Sequence, residues 1–585
     1  MNLIPKVLQL FNKKEKKSFY FLFILMLIST LFETIGIGLI VPFVAIVTNP
    51  KLIHDHFLLS KIYQFFHFQS NTGFLIFTTM VLLSVFFMKN LYLIYSQYIQ
   101  YRFIFQQQIK LSKRLLHHYL TSQYEFHLQR NSSELLRNVN FEVPRIFNQV
   151  LIPILMIISE LLVITGITIL LIINSPIQTL ISVVILGGCT GIFLRLFRNK
   201  LNKIGKKQQK SNGEMIKWIN QGLGSVKEVK VSGREKFFID SFVEQSEEFS
   251  KSMRFFNILN QIPRMFIETI VVATILITML MIILKGEDST TLLSTMALFA
   301  MGAFRLMPSI NRMVGAITAI RFNMPALDVI HNELVGSNPL ESISSYQHDK
   351  EENIQEKFFK NEIKMKNIFY RYPNQENYSI KDLSLKVPIG KSIAIIGSSG
   401  AGKTTIVDII LGILEPEKGE VLIDGVELKN ILPIWKRKIG YIPQSIYLSD
   451  DSIRKNVAFG IKENEINDES VWRALKDAQL MNFVLELPNG LETNIGERGV
   501  RLSGGQRQRI GIARALYHNP EVLFLDEATS SLDNHTENEI MKAIDGLKGE
   551  KTIIIIAHRL STIEKCDFVY ELVNGKMQVK ENSTC

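Results

Sequence analysis

Six stretches of roughly 20 to 30 mostly apolar residues, all within the first 320 positions, decide where this chain can fold. They run over Phe19–Val47, Phe74–Tyr98, Val150–Ile173, Ile177–Phe197, Phe255–Leu284 and Leu292–Ile320. A helix needs about 20 such residues to cross the hydrocarbon of a bilayer. Inside that layer the backbone must satisfy its own hydrogen bonds, so each stretch is read as a helix. An even number of spans puts both termini on one side. The basic run Lys13, Lys14, Lys16, Lys17 places the N-terminus, and hence both termini, in the cytoplasm. The net charge of +11 follows from such clusters at helix ends, with a second at Lys203, Lys206, Lys207 and Lys210, and does not point to nucleic acid. The first apolar stretch is too long for a cleaved signal and is read as a retained helix. Cys189, Cys566 and Cys585 have no metal-binding spacing and suggest no disulfide framework.

The connections are unequal. Asn174–Pro176 and Lys285–Thr290 are short and external, whereas Gln100–Asn148 and Arg198–Arg254 are long, polar and helix-compatible, and project into the cytoplasm. Their tips are expected near Ser122–Asn131 and Gly222–Gly233, where they can dock on an energy-supplying domain. The external stretch Lys51–Phe66 has helical apolar spacing and reads equally as an interfacial helix or as a cap on the helix ends. Polar residues 334–361 form a linker, so the expected domains are 1–333, membrane-embedded and all-α, and 362–585, a soluble α/β domain.

In the second domain the buried strand Ile393–Ile396 runs into Gly397-Ser398-Ser399-Gly400-Ala401-Gly402-Lys403-Thr404-Thr405 and then a helix. This strand–loop–helix is a P-loop: glycines let backbone N–H groups wrap phosphates, Lys403 reaches the β- and γ-phosphates, and the Thr404 hydroxyl is a Mg²⁺ ligand. A second buried strand, Val522–Leu525, ends in Asp526-Glu527. Asp526 is expected to hold Mg²⁺ and Glu527 to orient the attacking water. A third, Thr552–Ile556, delivers His558, a candidate γ-phosphate sensor.

With Leu502-Ser503-Gly504-Gly505-Gln506 between P-loop and Asp526, residues 362–580 resemble the nucleotide-binding domain of ATP-binding cassette transporters. The resemblance implies that Tyr372 stacks on adenine, that Gln444 touches Mg²⁺ and the membrane domain, that Asp533 is the D-loop residue and that His558 is the switch histidine. It also implies that Ser503, Gly504, Gly505 and Gln506 cap the ATP held by a second copy. One P-loop and one signature per chain then call for a homodimer. The expected catalytic residues are Glu527, His558 and Gln444, with Thr404, Gln444 and Asp526 on the metal.

Charges inside spans are functional candidates. Arg305 and Arg312 lie two turns apart on one helix face, Arg264 precedes Glu268 by one turn, and Lys89, Glu33 and Glu160 occupy other spans. They either pair within the bundle or line a positive cavity for an anionic head group. Phe32-Glu33-Thr34, Pro263-Arg264, Arg305-Leu306-Met307-Pro308-Ser309 and Asn311-Arg312 are similar to bacterial lipid-linked oligosaccharide flippases. That similarity implies a polyprenyl-diphosphate-linked glycan meeting Lys89, Arg264, Arg305 and Arg312, in the bacterial cytoplasmic membrane. Lys89 stands where an arginine is expected in those relatives. An exporter of lipids, drugs or peptides is the alternative.

Overall fold

The computed structural model describes residues 3–48, 50–174, 176–284, 289–336, 359–527, 534–557, 563–573 and 575–580; side chains are described there except at scattered helix positions and throughout 281–305. The chain divides into two compact units, Met1–Ser122 with Arg130–Ser342, and Gln123–Gln129 with Ile343–Cys585. Most of the expected linker lies outside the described residues.

Six long helices carry the first unit: α1 (Lys13–Thr48), α2 (Asn71–Thr121), α3 (Ile152–Asn174), α4 (Pro176–Gly224), α5 (Glu235–Leu284) and α6 (Ser289–His331). Among the described residues, four segments are long and apolar enough to cross a membrane: Lys13–Gly36, Asn71–Thr121, Ser132–Ile173 and Leu306–Val335. The expected fourth and fifth spans fall on α4 and α5, where part of the side chains is not described. Ile267 and Val271 of α5 bury against Ile310 and Val314 of α6. Gly205 of α4 lets the chain approach α6 closely, because a Cβ there would sit 1.9 Å from the Phe322 carbonyl oxygen.

The approach to α3 is irregular for a chemical reason. Pro144 and Pro153 lack the N–H groups that an α-helix would aim at Asn140 and Gln149. The backbone there opens into π turns at Asn138–Glu142 and Phe147–Leu151. Glu142 is fully buried in this stretch, 3.6 Å from both Arg137 and Arg145.

The segment Lys51–Phe66 has a buried part and an exposed part. Ile53 of Leu52–Asp55 is buried with Ile46 and Phe74 and caps the helix ends. Phe57, Phe65 and Phe66, at Phe57–Phe65 and its C-cap, remain exposed.

The second unit holds two sheets. The four-stranded sheet has the order β2-β1-β4-β5, all antiparallel, from β1 (Glu362–Tyr370), β2 (Ile380–Pro388), β4 (Lys418–Ile423) and β5 (Val426–Glu427). The six-stranded sheet has the order β10-β9-β3-β8-β7-β6, from β3 (Ser392–Gly397), β6 (Ile439–Ile442), β7 (Val522–Asp526), β8 (Thr552–Ile556), β9 (Phe568–Val573) and β10 (Lys576–Lys580). Its central strands are parallel. The runs VLFLD and TIIII are apolar without alternation because both faces are covered. Phe524, Ile554 and Ile393 pack on one side with Ile406, Ile410 and Trp435. Leu523, Leu525 and Ile553 pack on the other with Ile510 and Leu516.

Candidate functional site: a nucleotide-binding centre

β3 ends in the P-loop, and α7 (Lys403–Ile410) follows at once. Gly402 is the N-cap with φ +105°, a left-handed conformation that disfavours any side chain, and a Cβ there would lie 3.0 Å from the Ser379 carbonyl oxygen. Ser398, Ser399, Gly400 and Thr404 are exposed and Ala401 is half-buried, so the face of the loop is open to a ligand. Lys403 is buried to 6% exposure and donates from Nζ to the carbonyls of Gly397 and Ser398 at 3.0 and 3.1 Å. Its ammonium is thereby held over the loop.

β8 lies between β3 and β7, so the Asp526 end of β7 and the P-loop end of β3 flank the end of β8. That end leads to His558, which lies outside the described residues, as does Asp533. Asp526 is buried at 6% exposure. Glu527 follows with φ +47°, an uncommon conformation for a side-chain-bearing residue and of the kind retained at functional sites at a cost of about 1–3 kcal/mol. Gln444 donates from Nε2 to Glu527 Oε2 at 2.6 Å, which joins the residue expected to touch Mg²⁺ to the one expected to orient the attacking water.

Asp408, one turn beyond Thr404 in α7, is a site residue that motif reading missed. Burial, and then the Asp526 carboxylate, push it up to about 6. Tyr441 of β6 is pushed up by burial and by the same two carboxylates. The Asp526 carboxylate at the strand end and the exposed Thr404 hydroxyl at the start of α7 are hard oxygen donors, so these residues fit Mg²⁺.

Tyr372 shares a hydrogen bond with Thr405 Oγ1 at 3.0 Å, which brings the expected adenine-stacking ring to the start of α7. The signature is separate. Ser503 caps α8 (Gly504–Leu516) through a reciprocal box: its hydroxyl accepts from the Gln506 N–H at 3.2 Å, and its own N–H donates to Gln506 Oε1 at 2.9 Å. Ser503 and Gly504 are exposed, and Gly505 and Gln506 half-buried. Among the described residues, no hydrogen bond or ion pair joins these four to the P-loop. Arg514 anchors α8 by donating to the Asn456 and Tyr447 carbonyls at 2.9 and 2.7 Å. Asn456 itself is fully buried and donates to Ser449 and Ser452 carbonyls.

The profile of the ABC transporter transmembrane region matches residues 35–305, and that of the ABC transporter ATP-binding part matches 380–530. The chain is 31% identical, over 80% of its length and 79% of the relative's, to the ATP-dependent lipid A-core flippase of Wigglesworthia glossinidia brevipalpis. It belongs to the ATP-binding cassette exporters, as a half-transporter. Mouse ATP-binding cassette sub-family B member 10, mitochondrial, is 40% identical over 38% of this chain and 32% of its own. A bacterial Atm1-family ABC exporter solved with ATP bound has the same fold, with a TM-score of 0.77, 20% identity and coverage of 97% of this chain and 94% of that one. The exporter is thus a multi-pass membrane protein that uses ATP and couples its hydrolysis to transport.

Arg312 donates from Nε to Glu160 Oε1 at 2.5 Å and reaches Ser309 Oγ at 3.5 Å. Of the two expected readings, pairing within the bundle holds for Arg312. Arg264 and Glu268 are both exposed. Lys89 lies 4.5 Å from the Phe86 ring centroid and beside Gly36. The Arg305 side chain lies outside the described residues.

Proposed function

We propose that two copies of this exporter form a flippase that carries a polyprenyl-diphosphate-linked oligosaccharide across a bacterial cytoplasmic membrane, with both termini inside. The observation that carries the reading is the Arg312–Glu160 pair on apolar helices, with Glu160 at 9% exposure and its second oxygen without a partner. Ionisable groups are rarely kept at such depth without a task. A diphosphate offers oxygens that compete with one carboxylate for the Arg312 fork. Arg264, Lys89 and Arg305 supply further positive charge along the route. The relatives named as lipid A-core flippases favour a second reading, in which the cargo is a lipid of that kind.

The engine reads as follows. Residues 1–333 carry the cargo, 334–361 link, and 362–585 bind and hydrolyse ATP. Lys403 exchanges its two carbonyl partners for β- and γ-phosphate oxygens, and the Gly397–Gly402 loop donates backbone N–H groups. Tyr372 stacks on adenine. Thr404, Asp526 and Gln444 hold Mg²⁺, which neutralises phosphate charge when bound. Glu527, held by Gln444, orients the attacking water, and His558 contacts the γ-phosphate. Ser503, Gly504, Gly505 and Gln506 of one copy close over ATP on the other, with Asp533 beside them. The second cytoplasmic tip supports pairing: around helix Val226–Ser232, Leu223, Val226 and Val231 are 71%, 51% and 82% exposed, an apolar edge that a second copy can cover. Shifting a gate from 1:99 to 99:1 takes about 5.5 kcal/mol of differential binding, within reach of two ATP sandwiches.

The test is Arg312→Gln in lipid nanodiscs. Stimulation of ATP turnover by a polyprenyl-diphosphate-linked oligosaccharide should fall at least tenfold while basal turnover persists. Unchanged stimulation contradicts the proposal, and stimulation by lipid A-core alone supports the second reading.

A further inference from the structure

The two ends of the Arg312–Glu160 pair are unequally buried. α3 and α6 meet along an apolar seam, in which Leu306 packs on the cluster of Val163, Ile167 and Leu171, and Ile164 packs on that of Ile310 and Val314. Within this seam the Glu160 side chain is 11% exposed and the Arg312 side chain 38%. Glu160 Oε1 accepts from Nε, on the stem side of the guanidinium, while Oε2 is buried with no hydrogen-bond partner. Arg312 Nη2 reaches Ser309 Oγ at 3.5 Å, the outer limit of a hydrogen bond. The far side of the fork therefore keeps donors for a second anion, although Glu160 already answers its charge.

We propose that Glu160 is a positioning residue that acts through Arg312 as a resident counter-anion, setting a threshold that admits a lipid-linked diphosphate and turns away a lipid-linked monophosphate. The inference rests on the reading of Arg312 as a contact of the cargo diphosphate. Any anion that takes Arg312 must part it from Glu160 and leave that buried carboxylate with neither oxygen paired. This penalty is the same whatever the ligand. A phosphate diester carries one negative charge and returns to the guanidinium no more than Glu160 gave it. A diphosphate diester carries two charges and more acceptor oxygens. It can satisfy Arg312 and a further cation as well, such as Arg305, two turns earlier in α6. An unpaired charge exacted from the wrong ligand is a general means of discrimination, and here the protein supplies that charge itself.

The experiment measures ATP turnover of the full-length protein in lipid nanodiscs against rising mole fractions of two probes. They share prenyl chain and glycan, and are joined by a diphosphate in one and a single phosphate in the other. The unaltered protein should respond to the diphosphate probe alone. Glu160→Gln keeps the volume and an acceptor oxygen for Nε. It should lower the half-saturating fraction of the diphosphate probe about tenfold, the scale on which contacting charges couple, and should make the monophosphate probe stimulate too. A bridge that only holds the helices together predicts the opposite shift, toward a higher fraction. With Arg312→Gln added, which leaves an uncharged pair, the gain in affinity should vanish. An unchanged or raised fraction in Glu160→Gln, silence of the monophosphate probe there, or the same gain without Arg312 overturns the role of Glu160. So does an equal response of the unaltered protein to both probes. Should Glu160→Gln not fold, Glu160→Asp, which draws the carboxylate back by one methylene, must shift the fraction downward by about threefold or the role falls. No response of the unaltered protein to the diphosphate probe brings down the cargo reading itself, and the inference with it.

Discussion

Asp408 titrates where neighbouring elements put it. Its carboxyl is held up to about 6, against an ordinary 3.8, by burial and by Asp526 on the adjacent strand end. The sign follows from linkage: the fold prefers the protonated form, so this stabilisation is whole below pH 3.8 and lost as pH rises through 6. Asp408→Asn, which cannot ionise, should therefore gain stability over the unaltered protein between pH 4 and 7 in magnesium-free buffer. Screening at a partly exposed site reduces the gain to about 1–2 kcal/mol. Thermal unfolding at a series of pH values checks this, and parallel curves for the two proteins contradict it. Asp408 shows why part of the site was hidden in the sequence. Gly397–Thr405, Gln444, Ser503–Gln506 and Asp526-Glu527 are runs or strand ends with local signatures. Asp408 looks like any polar helix residue until Asp526 is brought beside it.

At the scale of elements, apolar run length made the long helices legible, because hydrocarbon permits little else. The fine structure of the approach to α3 was not. Pro144 and Pro153 were visible, but the two π turns and the buried charges they frame depend on what α2, α4 and α6 leave room for. Glu142, at 0% exposure, answers Arg137 and Arg145, which are 11% and 18% exposed. Glu142→Ala leaves two guanidinium groups without that carboxylate and should destabilise the protein by about 3–5 kcal/mol, the usual cost of breaking a buried pair. Glu214→Ala, which removes the half-exposed partner of Lys217, should change stability by less than about 1 kcal/mol. Unfolding of the purified variants in one detergent compares them, and equal melting temperatures refute the buried-pair account. The signature helix is a contrasting element: its reciprocal box was implicit in the spacing of Ser503 and Gln506, and the structure forms it.

The whole molecule is an exporter half in which the residues proposed to hold nucleotide fall in two places. The P-loop, Asp526, Gln444 and Glu527 converge within the chain, while Ser503 and Gly504 stand exposed and apart. On this account a second copy completes the site, and closing over ATP drives the helices. The charges inside spans were less legible than the nucleotide motifs because a charge in a span reads alike whether it meets substrate or, as Arg312 does, a neighbouring Glu160. The most direct test uses the Glu527→Gln protein in nanodiscs with a nitroxide at position 462, whose native lysine is 78% exposed. Pulsed electron paramagnetic resonance then measures the distance between the labels of paired copies. Mg²⁺ and ATP should collapse a broad distribution to one short distance, with turnover abolished and two nucleotides retained per pair. An unchanged distribution with ATP bound, or turnover at the rate of the unaltered protein, would contradict the account.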